Sequence, residues 1–208
     1  KDSLNNQFKT EDGRTIEIPP TLLITGIGIV PDLDRCVTMD AKTPGNVLLQ
    51  VCVDRTIAGF GGSHVAEVLG FTPGERAVIA SPERSAEAAA AVASLIARGR
   101  VVSAHDCSEG GALVAIAEML IASGIDGCGC DVELTSGDPL MAAFAEGTAR
   151  YILEVRPQDT DDVMGTCQAA GLDAFRIGTL NATARLRSAG LDLAVAELHR
   201  AWTGTLDW

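Results

Sequence analysis

The residues best suited to chemistry form one short polar and glycine-rich run, His105-Asp106-Cys107-Ser108-Glu109-Gly110-Gly111, between two apolar segments. The Asp106 carboxylate could hold a divalent ion, and the Ser108 hydroxyl could donate to a phosphate. The backbone amides of Gly110 and Gly111 could approach an anion at the positive end of a following helix. The simpler interpretation is that Ser108 caps that helix and the glycines permit the turn. The pattern alone favours neither interpretation.

Three further groups of residues allow weaker interpretations. Cys107 and His105 would point the same way from a strand, but no residue that could orient such a nucleophile–base pair is evident. The segment Gly61-Gly62-Ser63-His64 could cradle an anion, although a connection with Ser63 as helix cap is favoured. Cys128 and Cys130 lack further metal ligands nearby and are better explained as core cysteines.

The composition excludes several classes of function. The 208 residues carry a formal charge of −12 without a Lys/Arg cluster, which argues against binding to a polyanion such as DNA. The apolar runs are too short to span a bilayer, and no secretory signal opens the chain. The six cysteines fit neither a disulfide framework nor paired zinc knuckles, so buried thiols in a reducing, cytoplasmic setting are expected.

A sheet and several helices must position the central run. Before it, an Asp12-Gly13 turn predicts a hairpin, the apolar residues 22–30 predict a buried strand, and Pro44-Gly45 marks a boundary. Beyond this boundary strands are predicted at 47–53, 101–106, 129–134, 150–156, 173–179 and 185–189. Helices are predicted at 65–69, from Pro82 to near Gly99, and at 110–122, 138–146, 159–170 and 192–203. This order predicts an α+β fold whose mixed sheet carries helices on one face.

Taken in order, these segments resemble the end of the formylglycinamidine ribonucleotide (FGAM) synthase family. Lys1-Asp2-Ser3-Leu4 is similar to the family's G-K-D-S-[LM] segment, and Ile18-Pro19-Pro20 to the strand start that follows it. The run from His105 to Gly111, with Ala117-Glu118-Met119, is similar to the family's H-D-x-S-[DE]-G-G…A-E-M signature. Gly61-Gly62-Ser63-His64 resembles its G-G-S-x helix start.

The resemblance implies a domain division and a set of site residues. Residues 1–44 would end the second A-type domain, and residues 45–208 would form the second B-type domain, which has the fold of the aminoimidazole ribonucleotide synthetase C-terminal domain. Ser3 would contact substrate, Asp106 magnesium, and Ser108, Gly110 and Gly111 a nucleotide. Glu146 matches a glutamate that approaches substrate in the first half of the enzyme. Lys1 replaces an asparagine beside magnesium.

The resemblance also implies the reaction, which belongs to purine biosynthesis. An ATP-dependent, magnesium-using C–N ligase would convert formylglycinamide ribonucleotide and glutamine-derived ammonia to FGAM. Its partners would be the remaining A/B half and a glutaminase domain or subunit. Because the chain begins at Lys1 inside a motif, a fragment without synthase activity is expected. The alternatives are a non-catalytic scaffold half with a vestigial nucleotide site, or another ATP-using member of the same superfamily.

Overall fold

The computed structural model describes residues 7–17, 24–56, 58–72, 77–134 and 138–204, and the chain forms two compact units, Lys1–Leu33 and Asp34–Trp208. The described strands of the first unit are β1 (Gln7–Lys9) and β2 (Thr15–Glu17), which pair antiparallel. Gly13 lies between them with φ of 85°, a conformation that glycine adopts without strain. The hairpin predicted from Asp12-Gly13 is therefore confirmed.

The buried strand predicted at residues 22–30 is wrong over its described part. Residues 24–30 form no strand, and Ile27 and Ile29 are 95% and 96% exposed. An apolar, β-branched run buries itself only where neighbouring strands satisfy its backbone groups. Among the described residues of this unit, the strands are three-residue segments already paired with each other.

The second unit contains a seven-stranded mixed sheet with the order β4-β6-β3-β7-β5-β8-β9. Its strands are β3 (Val47–Cys52), β4 (Ser103–Asp106), β5 (Gly129–Val132), β6 (Arg150–Val155), β7 (Asp173–Asn181), β8 (Arg185–Ser188) and β9 (Leu191–Ala194). The β5–β8 pair is parallel and the other pairs are antiparallel. The predicted α+β class and mixed sheet are confirmed, whereas β9 occupies residues that were expected to begin the last helix.

The described part of the chain contains six α-helices: α1 (His64–Leu69), α2 (Pro82–Ala97), α3 (Gly111–Ala122), α4 (Pro139–Phe144), α5 (Thr160–Ala169) and α6 (Val195–Gly204). Two 3-10 turns lie at Leu33–Arg35 and Pro157–Asp159. Ser81 caps α2 by accepting from the Arg84 amide, as its position before Pro82 predicts. Within the described residues, none of these helices is both long and apolar enough to cross a membrane.

The helices cover both faces of the sheet, which corrects the prediction of helices on one face. Successive residues of β3 enter different cores: Leu48 packs with α3 and α6, whereas Leu49 packs with α2 and α5. Because side chains alternate across a strand, this division means that each face has its own helical layer. All six residues of β3 are buried, as expected for a central strand covered on both sides.

A buried carboxylate fixes the segment that precedes β3. Glu154 of β6 is fully buried, and its Oε1 accepts from the Thr43 amide at 3.1 Å and from Asn46 Nδ2 at 2.6 Å. Its Oε2 accepts from the Lys42 amide at 2.8 Å and from Ser103 Oγ at 2.9 Å. Each carboxylate oxygen therefore accepts two hydrogen bonds. Together they connect the segment before β3 to strands β4 and β6.

Candidate functional site

An open cleft of about 550 Å³ lies beside the carboxyl end of β4. Four segments surround it: the start of α1, residues 77–79 before α2, the turn between β4 and α3, and the corner between α4 and β6. Its described polar and charged lining consists of His64, Asp106, Ser108, Glu109, Glu146, Thr148, Arg150 and Tyr151. The turn singled out from the sequence therefore contributes three of these side chains, and the long-range fold brings the others to them.

Asp106 and Ser108 form a hydrogen-bonded pair at the wall of this cleft. The Ser108 hydroxyl donates to Asp106 Oδ2, and His105 Nδ1 lies 3.3 Å from Oδ1. The hydrogen bond from Ser108 is the main reason that the pKa of Asp106 lies below its usual value, with burial acting in the opposite direction. The side chain of Asp106 is 61% exposed, so an ionised carboxylate faces the cleft at neutral pH.

The amides of Gly110 and Gly111 have intramolecular acceptors, contrary to the expectation that they are open to an anion. Gly110 N donates to Glu146 Oε1 at 2.8 Å, and Gly111 N donates to the Ser108 carbonyl at 3.2 Å. Both glycines are buried, and neither lines the cleft. An anion could reach the Gly110 amide only after Glu146 moved away. Nucleotide binding by these two glycines stays a prediction.

Backbone geometry accounts for both glycines without a ligand. Gly110 and Gly111 have φ of 79° and 72°, in the left-handed region. A Cβ on Gly111 would lie 2.8 Å from the Ala145 carbonyl oxygen and the Phe144 carbonyl carbon, and one on Gly110 would lie 2.6 Å from Val114 Cγ2. The turn therefore needs glycine to let α3 start against the end of α4.

Glu146 connects three of the four segments of the cleft. The same Oε1 that accepts from Gly110 also accepts from the His64 amide at 2.8 Å, and His64 Nδ1 lies 3.5 Å away. Its backbone forms an antiparallel bridge with Gly59, through two hydrogen bonds of 3.0 Å. From the sequence alone Glu146 is an unremarkable carboxylate beside an arginine. The structure makes it the carboxylate that joins the starts of α1 and α3.

The interpretations based on capping and core packing are supported at two other segments. Ser63 is the cap of α1, accepting from the Ala66 amide at 3.4 Å and donating to the Phe60 carbonyl at 2.9 Å. Cys128 and Cys130 are buried in the core formed with α3, and no group of three metal-ligating side chains occurs among the described residues.

Cys107 does not have the properties of an activated nucleophile. It is 4% exposed, and burial raises the pKa of its thiol to about 12, whereas a nucleophilic thiolate requires a lowered pKa. His105 Nε2 lies 3.1 Å from Glu118 Oε2 of α3, so this ring contacts carboxylates on both sides. The Cys107–His105 nucleophile pair is therefore wrong.

The sequence reasoning missed the cation of the cleft. Arg150 begins β6, is 6% exposed, and lines the cleft together with Asp106, Glu109 and Glu146. It follows Ala149, a non-glycine residue with φ of 56°. Such residues are uncommon and concentrate at functional corners. An arginine that starts an apolar strand was the signal that could have drawn attention to this position.

A magnesium ion fits the cleft only as part of a larger complex. Asp106 offers an ionised oxygen ligand, and Mg²⁺ commonly takes one or two carboxylates while waters and phosphate oxygens complete its shell. The cleft also contains Glu109 and Glu146, so its acidic lining would repel a phosphate that arrived without a cation. Ser3, the predicted substrate contact, lies outside the described residues.

The fold and the cleft define an α+β domain that places an Asp–Ser pair and a Glu corner at one end of a mixed sheet. Residues 43–190 match the family described as AIR synthase related protein, C-terminal domain. The chain belongs to this family.

Two curated relatives carry the name phosphoribosylformylglycinamidine synthase subunit PurL. The protein of Thermobifida fusca (strain YX) is 32% identical over 97% of this chain, and that of Moorella thermoacetica is 31% identical over 93%. The chain spans about 26% of the length of each relative.

Solved structures share the fold. The Thermotoga maritima PurL complexed with FGAR superposes with a TM-score of 0.67 at 19% identity, over 80% of this chain and 30% of that chain. The hydrogenase maturation protein HypE of E. coli superposes with a TM-score of 0.51 at 16% identity, over 76% of this chain and 51% of that one. These similarities confirm the predicted family and fold class.

Proposed function

We propose that this chain is the C-terminal part of an FGAM synthase and that its cleft holds a magnesium-bound nucleotide. The observation that carries the proposal is the ionised, exposed Asp106 beside the Ser108 hydroxyl, at a strand end that faces the Glu146 corner. A carboxylate binds the metal ion, and a hydroxyl can donate to a phosphate oxygen that the metal brings with it. The relatives named PurL, and their structures with ATP and with FGAR, support this interpretation.

In the complete enzyme we propose an ATP-dependent C–N ligase reaction of purine biosynthesis. Formylglycinamide ribonucleotide, ATP and ammonia from a glutaminase partner would yield FGAM, with residues outside these 208 supplying most of the catalytic site. The family match from residue 43 supports a boundary near residue 44, between the end of an A-type domain and a B-type domain at 45–208, whereas the compact unit that contains the sheet already begins at Asp34. The cytoplasmic setting stays a prediction.

A non-catalytic scaffold is the second candidate, and one specific observation favours it. The amides of Gly110 and Gly111 already donate to Glu146 and to the Ser108 carbonyl. A site whose donors are satisfied internally has less to offer a phosphate. On this alternative the cleft is vestigial, and the domain serves to dock the catalytic half.

Calorimetric titration of the purified chain with Mg-ATP separates the two candidates. We expect saturable binding that is weakened at least about tenfold by Asp106→Asn, because loss of one ligand charge weakens the metal contact. Asp126→Asn changes an exposed residue outside the cleft lining and serves as the matched control. It should bind Mg-ATP with the affinity of the original chain. Absence of binding heat, or equal affinity in both variants, would reject the nucleotide site. We expect no FGAM formation by these 208 residues alone, tested with formylglycinamide ribonucleotide, Mg-ATP and ammonia.

A further inference from the structure

A second, smaller cavity lies on the other side of Arg150. It measures about 130 Å³ and is bounded by the sheet and by α4. Its polar lining is Gln50, Arg55, Thr56 and Arg150, and its apolar lining is Ala58, Leu134, Met141, Ala142, Ala145 and Phe175. A single water needs roughly 10–15 Å³, whereas small-molecule pockets begin near about 300 Å³. The cavity therefore suits a group larger than one water and smaller than a nucleotide.

The donors beside this cavity have no partners. Arg150 Nε, Arg150 Nη1 and Gln50 Nε2 are buried, and none of them makes a hydrogen bond. Arg150 is 6% exposed and Gln50 is 2% exposed, so bulk water does not hydrate them. Leaving such groups without a hydrogen-bond partner destabilises the folded state, and the effect is larger when the group is charged. Both residues are donors at these atoms, so the missing partner is an acceptor.

Arg150 also makes no direct ion pair with the described residues, although it shares the larger cleft with Asp106, Glu109 and Glu146. None of the ion pairs among the described residues includes this side chain, and no carboxylate residue belongs to the described lining of the cavity. The neighbouring thiol of Cys52 does not neutralise it, because burial raises the pKa of that thiol to about 11. Buried arginines are normally paired, since an isolated buried charge is strongly unfavourable.

A second cation adds to the positive potential. Arg55 lines the same cavity, with its Cζ 4.0 Å from the centroid of the Phe175 ring and its Nε 3.9 Å from Asp173 Oδ2. Thr56 contributes a hydroxyl, which donates to Asp54 at 2.7 Å. The cavity thus combines two guanidinium groups and an amide donor, in a protein whose formal charge is −12.

We propose that the cavity between the sheet and α4 binds a small oxyanion, held by Arg150 and Gln50 and assisted by Arg55. Water molecules could satisfy the hydrogen bonds but would leave the guanidinium charge unpaired, whereas an oxyanion satisfies both. This site is separate from the proposed nucleotide cleft, although Arg150 lines both.

Thermal unfolding of the purified chain, titrated with inorganic phosphate at constant ionic strength and without magnesium, tests the site. Because the anion binds the folded state, the Tm should rise with phosphate concentration, and above the Kd it should continue to rise in proportion to the logarithm of that concentration. Gln50→Met preserves the length of the side chain but removes the amide donor. It should weaken phosphate binding at least about tenfold. Arg150→Met should abolish the phosphate effect, and without phosphate it should be at least as stable as the original chain.

Ser108→Ala distinguishes the two cavities, because Ser108 lines only the larger cleft. The proposal requires this variant to keep the full phosphate effect. A phosphate effect that is lost in Ser108→Ala but kept in Gln50→Met would place the anion in the nucleotide cleft and overturn the proposal. It would also be overturned if phosphate did not raise the Tm, or if it raised the Tm equally in all variants. A negative result with phosphate would leave the calorimetric result for Mg-ATP unchanged, so the two proposals can fail independently.

Discussion

Removal of the Glu146 carboxylate should loosen the starts of two helices at once. Its Oε1 accepts from the amides of His64 and Gly110, both at 2.8 Å, across 82 and 36 residues of sequence. Hydrogen bonds to a charged group contribute about 1.5–3 kcal/mol each. Because the side chain is 21% exposed and water can replace part of the loss, we take the lower end of that range. Glu146→Ala should therefore lower the free energy of unfolding by about 2–3 kcal/mol.

Glu146→Gln provides the matched comparison. The two amides converge on a single oxygen, and the glutamine carbonyl can take its place. This variant should lose about 1 kcal/mol or less, since it removes only the charge. Urea denaturation followed by far-UV circular dichroism measures both values, provided that the slope with denaturant is unchanged. Glu67→Ala, at an exposed position of α1, controls for loss of a glutamate from the surface.

The reasoning would be refuted if Glu146→Ala unfolded within about 0.5 kcal/mol of the original chain, the range typical of surface substitutions. It would also fail if the alanine and glutamine variants lost equal stability. The same variant bears on the cleft, because loss of Glu146 frees the Gly110 amide. If that amide receives a phosphate, as the sequence predicts, Glu146→Ala should bind Mg-ATP more tightly, measured by calorimetry.

Three further predictions follow from buried groups. Glu154→Gln should lower the free energy of unfolding by about 1–3 kcal/mol in urea denaturation, because its amide nitrogen would face the Lys42 amide, whereas the Ser103 hydroxyl can turn and accept from it. A loss below about 0.5 kcal/mol would contradict this. Gly111→Ala should lower the Tm more than Gly190→Ala. Both glycines have positive φ, but only at Gly111 would the added Cβ lie 2.8 Å from backbone atoms. Equal decreases in Tm would refute the importance of this contact. Burial raises the pKa of the Cys107 thiol from a usual 9.0 to about 12 in the folded state. Because the thiol ionises more readily in the unfolded state, its contribution to stability is complete below pH about 9 and is lost as the pH rises towards about 12. Iodoacetamide should accordingly label exposed Cys36 in the native protein and the other five cysteines only in denaturant, counted by intact mass; native labelling of Cys107 would contradict its burial.

Local patterns in the sequence predicted features of both units. The N-cap at Ser81, the Asp12-Gly13 turn and the glycines that start α3 were identified because a cap or a tight turn depends on residues a few positions apart. The continuous apolar run of β3 also contained the sign of two covered faces, which the expectation of helices on one face overlooked. The resemblance in the central run led to the correct family.

The chain sequence by itself determined the fold class, most element positions and the Asp106–Ser108 turn, because these depend on periodicity and short-range geometry. Only the tertiary structure decided how the cleft is built. It directed the Gly110 amide to Glu146, left residues 24–30 exposed, and buried Arg150 without a partner between two cavities. These outcomes depend on contacts between residues tens of positions apart, and no local pattern encodes which distant group satisfies a given donor or charge.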